Sequence, residues 1–215
     1  MDKTFLIFGA SITCGFWDKE GGWVARLRKL IDEKNLSGIA NLEFFCPVYN
    51  LGISGDSSDD LLARFTFETK HRIDETEKSS FIFSIGTNDS RFVPSKNDNG
   101  TGPEKFGENI KKLIDLAKKY SQEIVFVGLL PVEELKTTPI FWNEDSVFKN
   151  EYIKKYNNII RGICAEKGVY FIDIFDEWTG SDYKKLLEDG LHPNSEGHEK
   201  IFQSVRDFLV AKKII

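Results

Sequence analysis

The sequence predicts an α/β protein, a parallel sheet with helices on both of its faces. Three observations carry this prediction. Five short runs rich in Phe, Ile and Val recur along the 215 residues without polar alternation, which suits strands covered on both faces. Stretches with apolar residues at helical spacing lie between them. Strand-like and helix-like segments alternate throughout, the order that crossover connections in a parallel sheet produce.

The first strand is predicted over Thr4 to Phe8 and ends at Gly9. Trp23, Leu27, Leu30 and Ile31 mark the first helix. The second strand is predicted over Leu42 to Tyr49, the third over Ser80 to Ile85, the fourth over Ile124 to Leu129 and the fifth over Val169 to Ile172. Residues 104–120 place Phe106, Ile110, Leu113, Ala117 and Tyr120 on one stripe with lysines opposite. Residues 149–165 repeat the pattern with Tyr152, Tyr156, Ile159, Ile160 and Ile163. The last helix, after Pro193, carries Ile201, Val205, Phe208 and Leu209. Arg91 to Gly102 and Pro131 to Ser146 are the longest stretches without periodicity, and such loops commonly shape a pocket. No repeat, low-complexity tract or linker interrupts the chain, so one domain over residues 1–215 is expected.

Composition narrows the function classes. A net charge of -5, with the Lys-Lys pairs spread over separate helices, argues against a nucleic-acid partner. No apolar run approaches the ~18 residues that span a bilayer, and residues 3–8 are too short for a signal-peptide core. Cys14, Cys46 and Cys164 are odd in number and far apart, which suits reduced thiols and a cytoplasmic location.

Ligands of an open parallel sheet bind beyond the carboxyl ends of its strands. Gly9-Ala10-Ser11 follows the first predicted strand, N-L-G-I-S-G-D-S-S (50–58) the second and G-T-N-D-S (86–90) the third. D-G-L-H-P-N (189–194) lies after the fifth, before the last helix. Small and polar residues therefore gather at one edge of the sheet.

Acyl transfer needs a nucleophile, a base, a group to orient the base and donors for the developing oxyanion. Ser11 supplies a hydroxyl at a strand-to-helix turn. His192 can serve as base near neutral pH, whereas His71 and His198 fall in helical patterns. Asp189, three residues earlier, can hold the imidazole from the same loop. The backbone N–H of Ser11, that of Gly55 and the side-chain amide of Asn88 are candidate oxyanion donors. Each residue also has a plain structural reading. Ser11 can cap a helix, Asn88 and Asp89 can form a turn, and His192 can open the last helix.

The four blocks together resemble the SGNH hydrolase superfamily of GDSL-type lipases and acylhydrolases. G-A-S-I-T is similar to its nucleophile block, N-L-G-I-S-G-D-S-S to its glycine block, G-T-N-D to its asparagine block and D-G-L-H-P to its Asp-x-x-His block. The resemblance runs from Phe5 to about Phe208. It implies a three-layer α/β/α sandwich like flavodoxin and hydrolysis of carboxylic esters. It also implies Ser11 as nucleophile, His192 as base supported by Asp189, and Gly55 and Asn88 completing the oxyanion hole. One departure stands out. The family usually has Asp before the nucleophile, where this chain has Ala10, and that bears on loop order and rate.

Other chemistries fit less well. Asp189, His192 and His198 make an incomplete metal set, G-I-S-G-D-S lacks the Lys-Ser/Thr ending of a P-loop, and no cofactor is implied. The expected partner is a small-molecule or acyl ester. Phe16, Trp17, Phe92, Phe141 and Trp142 either line an acyl pocket or serve packing. Two further readings use the same residues: removal of acetyl groups from a sugar or other metabolite, or acyl transfer to an alcohol. A third is a binding module without turnover.

Overall fold

A computed structural model describes residues 3–38, 45–74 and 78–215. Strands β1 (Lys3–Gly9), β2 (Val48–Gly52), β3 (Lys78–Ser84), β6 (Glu123–Val127) and β7 (Tyr170–Ile172) form one sheet in the order β2-β1-β3-β6-β7. Every pairing in it is parallel. A small antiparallel pair, β4 (Phe92–Val93) and β5 (Asp98–Asn99), stands apart. The chain leaves β1 for one edge of the sheet and returns past it to β3, so the strand order reverses between these neighbours. A crevice at the carboxyl ends of β1 and β3 follows from that reversal.

Alternate residues of each central strand serve opposite layers. Leu6 and Phe8 of β1, Phe81 and Phe83 of β3, and Ile124 and Phe126 of β6 share a core with Phe65, Phe106 and Tyr156. These come from α3 (Ser58–Lys70), α5 (Pro103–Ala117) and α7 (Asn150–Lys167). Phe5, Ile7, Ile82 and Val125 face the other core, with Trp23 and Leu27 of α2 (Gly22–Gly38) and Ile201 and Val205 of α9 (Ser195–Ala211). The architecture is a three-layer α/β/α sandwich. Full burial of one such Phe or Ile is worth about 1.5–3 kcal/mol, so the double coverage explains the unbroken apolar runs.

Strands one, three, four and five lie within two residues of the predicted bounds. The second differs more. Of Leu42 to Tyr49, residues 42–44 lie outside the described residues, and the strand runs over Val48–Gly52. Lys3 and Phe5 still donate to the Phe45 and Pro47 carbonyls at 3.1 and 2.9 Å, but Pro47 has no N–H to return a bond, and the ladder fails there. The sequence pattern does not mark α3 as an element, because its polar start overlaps the loop that reads as a site block. Its signal is the Ser57–Asp60 capping box, in which Asp60 Oδ2 accepts from the Ser57 N–H at 2.9 Å. Among the described residues no helix is long and apolar enough to cross a membrane.

Candidate active site

The register aligns the starting points of the site. Gly9 pairs with Gly52 on one side and Ser84 on the other, so the loops after β1, β2 and β3 leave at one level. The chain turns at once into the single-turn helix α1 (Ser11–Cys14). A Cβ on Gly9 would stand 2.5 Å from the Ser84 carbonyl oxygen and 2.0 Å from Thr13 Oγ1, so only glycine allows this turn so close to the sheet. Arg64 of α3 holds the turn from beneath. Its Nη2 donates to the Gly9 and Leu51 carbonyls at 3.2 and 2.8 Å, and its Nε donates to Asp56 Oδ2 at 2.7 Å. Ala10 offers no side-chain cap and joins the apolar cluster with Leu51 and Phe65. The loop lacks the usual aspartate and is anchored by a guanidinium.

Ser11 Oγ lies 2.9 Å from His192 Nε2, although 181 positions separate them in sequence. His192 Nδ1 lies 2.7 Å from Asp189 Oδ2. An ionised carboxylate only accepts, so Nδ1 carries the hydrogen and Nε2 is left to accept from the Ser11 hydroxyl. Ser11 and His192 are only 8% and 7% exposed. Asp189 Oδ1 accepts from the backbone N–H groups of Leu191 and His192 at 2.9 and 2.7 Å. Its Oδ2 also accepts from the Trp17 indole at 2.6 Å. Burial pushes the Asp189 carboxyl up, but donation from the His192 ring and from backbone N–H groups outweighs it and holds the group at about 2.

Asn88 sits in the one-turn helix α4 (Thr87–Ser90) after β3. One hydrogen of its amide goes to the Asp56 carbonyl at 2.9 Å, and a second remains on the same nitrogen. A crevice of about 20 Å³ is bordered by Ser11, Ile85, Gly86, Thr87, Asn88 and His192. Gly55 does not border it. It lies in the neighbouring loop, one residue before the carbonyl that Asn88 grips, with φ of +88° and open space where a side chain would be. The structure thus brings Ser11, Asp189, His192 and Asn88 together and leaves Gly55 beside them. A much larger groove of about 940 Å³ runs along α9 and β7, past Arg26, Asp173 and Glu199, and contains neither Ser11 nor His192. Size alone points there, but the convergent polar groups do not.

Of the aromatic residues singled out from the sequence, Phe16 and Trp142 flank the His192 ring, each at 5.8 Å between centroids. Phe141 packs edge-on against Trp142 at 4.7 Å. Phe92 instead stacks on Tyr152, its backbone exchanges two 2.9 Å hydrogen bonds with Val147, just past the second aperiodic stretch, and the Ser95 N–H donates to Asp145 Oδ1 at 2.7 Å, joining the two stretches.

Two residues with no role assigned from the sequence support the site. Asp89 is fully buried and accepts from the Ser58 N–H and, at 2.6 Å, from the Ser58 hydroxyl. It docks α4 onto the start of α3, and burial pushes its carboxyl up. His198 is fully buried in α9. Its Nδ1 accepts from the Trp23 N–H at 3.3 Å and its Nε2 donates to the Phe16 carbonyl at 3.0 Å. Both ring nitrogens are used, so His198 is not available as a metal ligand beside His192. Burial pushes its pKa down and keeps it neutral.

The GDSL-like lipase/acylhydrolase family model matches residues 7–200. Esterase TesA of Pseudomonas aeruginosa is 22% identical over 94% of this chain and 86% of its own length. The isoamyl acetate-hydrolyzing esterase 1 homolog of Homo sapiens is 24% identical over 97% and 82%. Among solved structures, the lipase/acylhydrolase from Enterococcus faecalis superposes with a TM-score of 0.73 at 20% identity, covering 99% of this chain and 97% of that one. At that identity the superposition speaks for the fold, and the family model extends over most of the sequence. The chain belongs to the GDSL-like lipase/acylhydrolase family and is a carboxylic-ester hydrolase.

Proposed function

We propose that this single domain hydrolyses esters of short acyl groups through a covalent intermediate on Ser11. The observation that carries the reading is the continuous contact from the Ser11 hydroxyl through His192 to Asp189. The neutral imidazole takes the Ser11 proton as the oxygen attacks the ester carbonyl. The imidazolium formed is stabilised by Asp189 and then protonates the leaving alcohol. Water enters, gives its proton to His192 and adds to the acyl carbon, and Ser11 leaves with the proton returned. The Ser11 N–H, the Gly55 N–H and the free hydrogen of the Asn88 amide are the donors assigned to the oxyanion. One such donor is worth about 3 kcal/mol in the transition state.

The acyl side is assigned to the crevice, whose 20 Å³ is close to the room one water needs. That dimension favours an acetyl group over a long chain, and so does the isoamyl acetate in the name of the human relative. The alcohol side is assigned to the rim formed by Phe16, Phe141 and Trp142. Three unpaired thiols support a reducing, cytoplasmic setting.

A fluorophosphonate probe tests the nucleophile. Labelling is expected at Ser11, absent in Ser11→Ala and steeply reduced in His192→Ala. A folded wild type that takes no label would favour a binding module. With p-nitrophenyl esters, kcat/KM is expected to fall from acetate to octanoate, and a flat or rising series would refute the short-acyl assignment. Added alcohol separates hydrolysis from transfer, because only transfer makes new ester.

A further inference from the structure

We propose that Trp17 is a positioning residue for the Ser11–His192–Asp189 site, its indole N–H holding the Asp189 oxygen on which the base depends. The inference rests on the reading given under Proposed function. Trp17 follows Ser11 by six residues, so one segment carries both the nucleophile and the clamp on the acid.

Ordinary packing does not explain this side chain. The residue is 54% exposed, and its backbone adopts φ of +65°, a left-handed conformation that a bulky residue avoids. The turn is imposed from several sides. Gly15 and Phe16 donate to the Ser11 carbonyl at 3.0 and 3.1 Å, and His198 Nε2 donates to the Phe16 carbonyl at 3.0 Å. Asp18, next in sequence, accepts from Gly22 N–H at 3.0 Å and pairs with Arg26. What the strained turn achieves is the 2.6 Å bond from Trp17 Nε1 to Asp189 Oδ2. Its other ring contact is an edge-on one with Phe16 at 5.9 Å.

Asp189 Oδ2 therefore accepts from two donors, Trp17 and His192. A neutral donor draws charge from the oxygen, and a carboxylate with less free charge stabilises the imidazolium less. Without the indole N–H, the carboxylate would hold the imidazolium more tightly. Trp17 does not titrate, so it acts equally at every pH. Other ionisable residues near the pair are His198 of α9, Glu188, whose N–H donates to the His192 carbonyl at 2.9 Å, and Glu133 and Lys136, which pack on Gly190. Changing Trp17 leaves all four in place.

The test is the rate of fluorophosphonate labelling against pH, for wild type, for Trp17→Phe and for a chain with benzothienylalanine at position 17. The analogue keeps the fused ring and lacks only the N–H, so a folding defect in the phenylalanine variant does not decide the matter. In both, the acid limb of the curve is expected to move up by about half to one pH unit. In Asp189→Asn the same change at position 17 is expected to leave the limb where it is. A limb that stays put or moves down in the otherwise wild-type background, with rates merely scaled, overturns the role of Trp17 and spares the catalytic site. A wild type that does not label at Ser11 overturns both.

Discussion

At Asp189 burial and hydrogen bonding oppose each other, and its substitution bears on catalysis far more than on folding. Asp189→Asn keeps the shape of the side chain but presents a donor or a weaker acceptor to His192, so the hydrogen on the ring is no longer held at Nδ1. A fall in kcat/KM of about 10⁴ is expected, measured with an activated acetate, with the melting temperature lowered by only about 2–8 °C. The pH dependence of stability follows from the same group. Its folded pKa of about 2 lies below the ordinary 3.8, so its contribution is present above pH 4 and is lost as pH falls from about 4 to 2. Urea titrations are expected to show a loss on the order of 1–2 kcal/mol over that window in wild type and a smaller one in Asp189→Asn. Activity runs the other way around neutrality. It is expected to rise with pH as the imidazole loses its proton, and a rate flat between about pH 5 and 8 would exclude His192 as base. The candidate residues Ser11, Asn88, Asp189 and His192 were legible in the sequence because each lies in a short motif in a polar loop, Ser11 and Asn88 just past the end of a strand. The bond from Trp17 to Asp189 was not, because its two ends are 172 positions apart and neither has a local pattern that demands the other.

Among the elements, α3 shows how a site loop and a helix start can share residues. The D-S-S-D-D stretch reads as polar loop, yet it caps α3 and receives Asp89 from the segment after β3. Asp89 fixes α4 and hence Asn88. Asp89→Ala is expected to cost about 2 kcal/mol, because the Ser58 N–H and hydroxyl lose a buried acceptor. Asp89→Asn retains an acceptor and removes the cost of ionising a buried carboxyl, so chemical denaturation is expected to show a loss below about 1 kcal/mol. Because burial raises the Asp89 pKa, its ionisation works against the fold as pH rises above the ordinary value, and that trend is expected to vanish in the asparagine variant. An asparagine variant as unstable as the alanine one would show that the charge itself is needed. Strands β1, β3, β6 and β7 were readable from apolarity alone. Strand β2 began later than its apolar run because a missing N–H at Pro47 is a matter of register, which composition does not express.

Across the whole molecule, the two cores meet at a sheet whose central strands β1, β3 and β6 are buried on both faces. Phe83 touches Phe8, Phe65, Phe81 and Phe126, with ring centroids 4.9 to 6.3 Å apart. Phe83→Ala is expected to destabilise by about 3–5 kcal/mol and to lower the melting temperature by roughly 6–20 °C. Its strand ends beside the crevice at Ser84, so the acetyl ester rate is expected to fall with it. A melting point within about 2 °C of wild type would show that the central layer repacks freely. The reversal of strand order between β1 and β3 explains why the loops after them open on one crevice, where Leu191 and His192 join them; the alternation of strands and helices predicts only a parallel sheet with its polar residues at one edge.

The backbone seam between Phe92 and Val147 has a practical consequence for anyone recombining this enzyme with its relatives. The two segments it stitches behave as a single insert with two entry points. A chimera that exchanges one of them leaves two N–H groups facing a foreign partner, whereas exchanging both carries the seam along intact. Paired grafts are therefore the route to new rims on this scaffold.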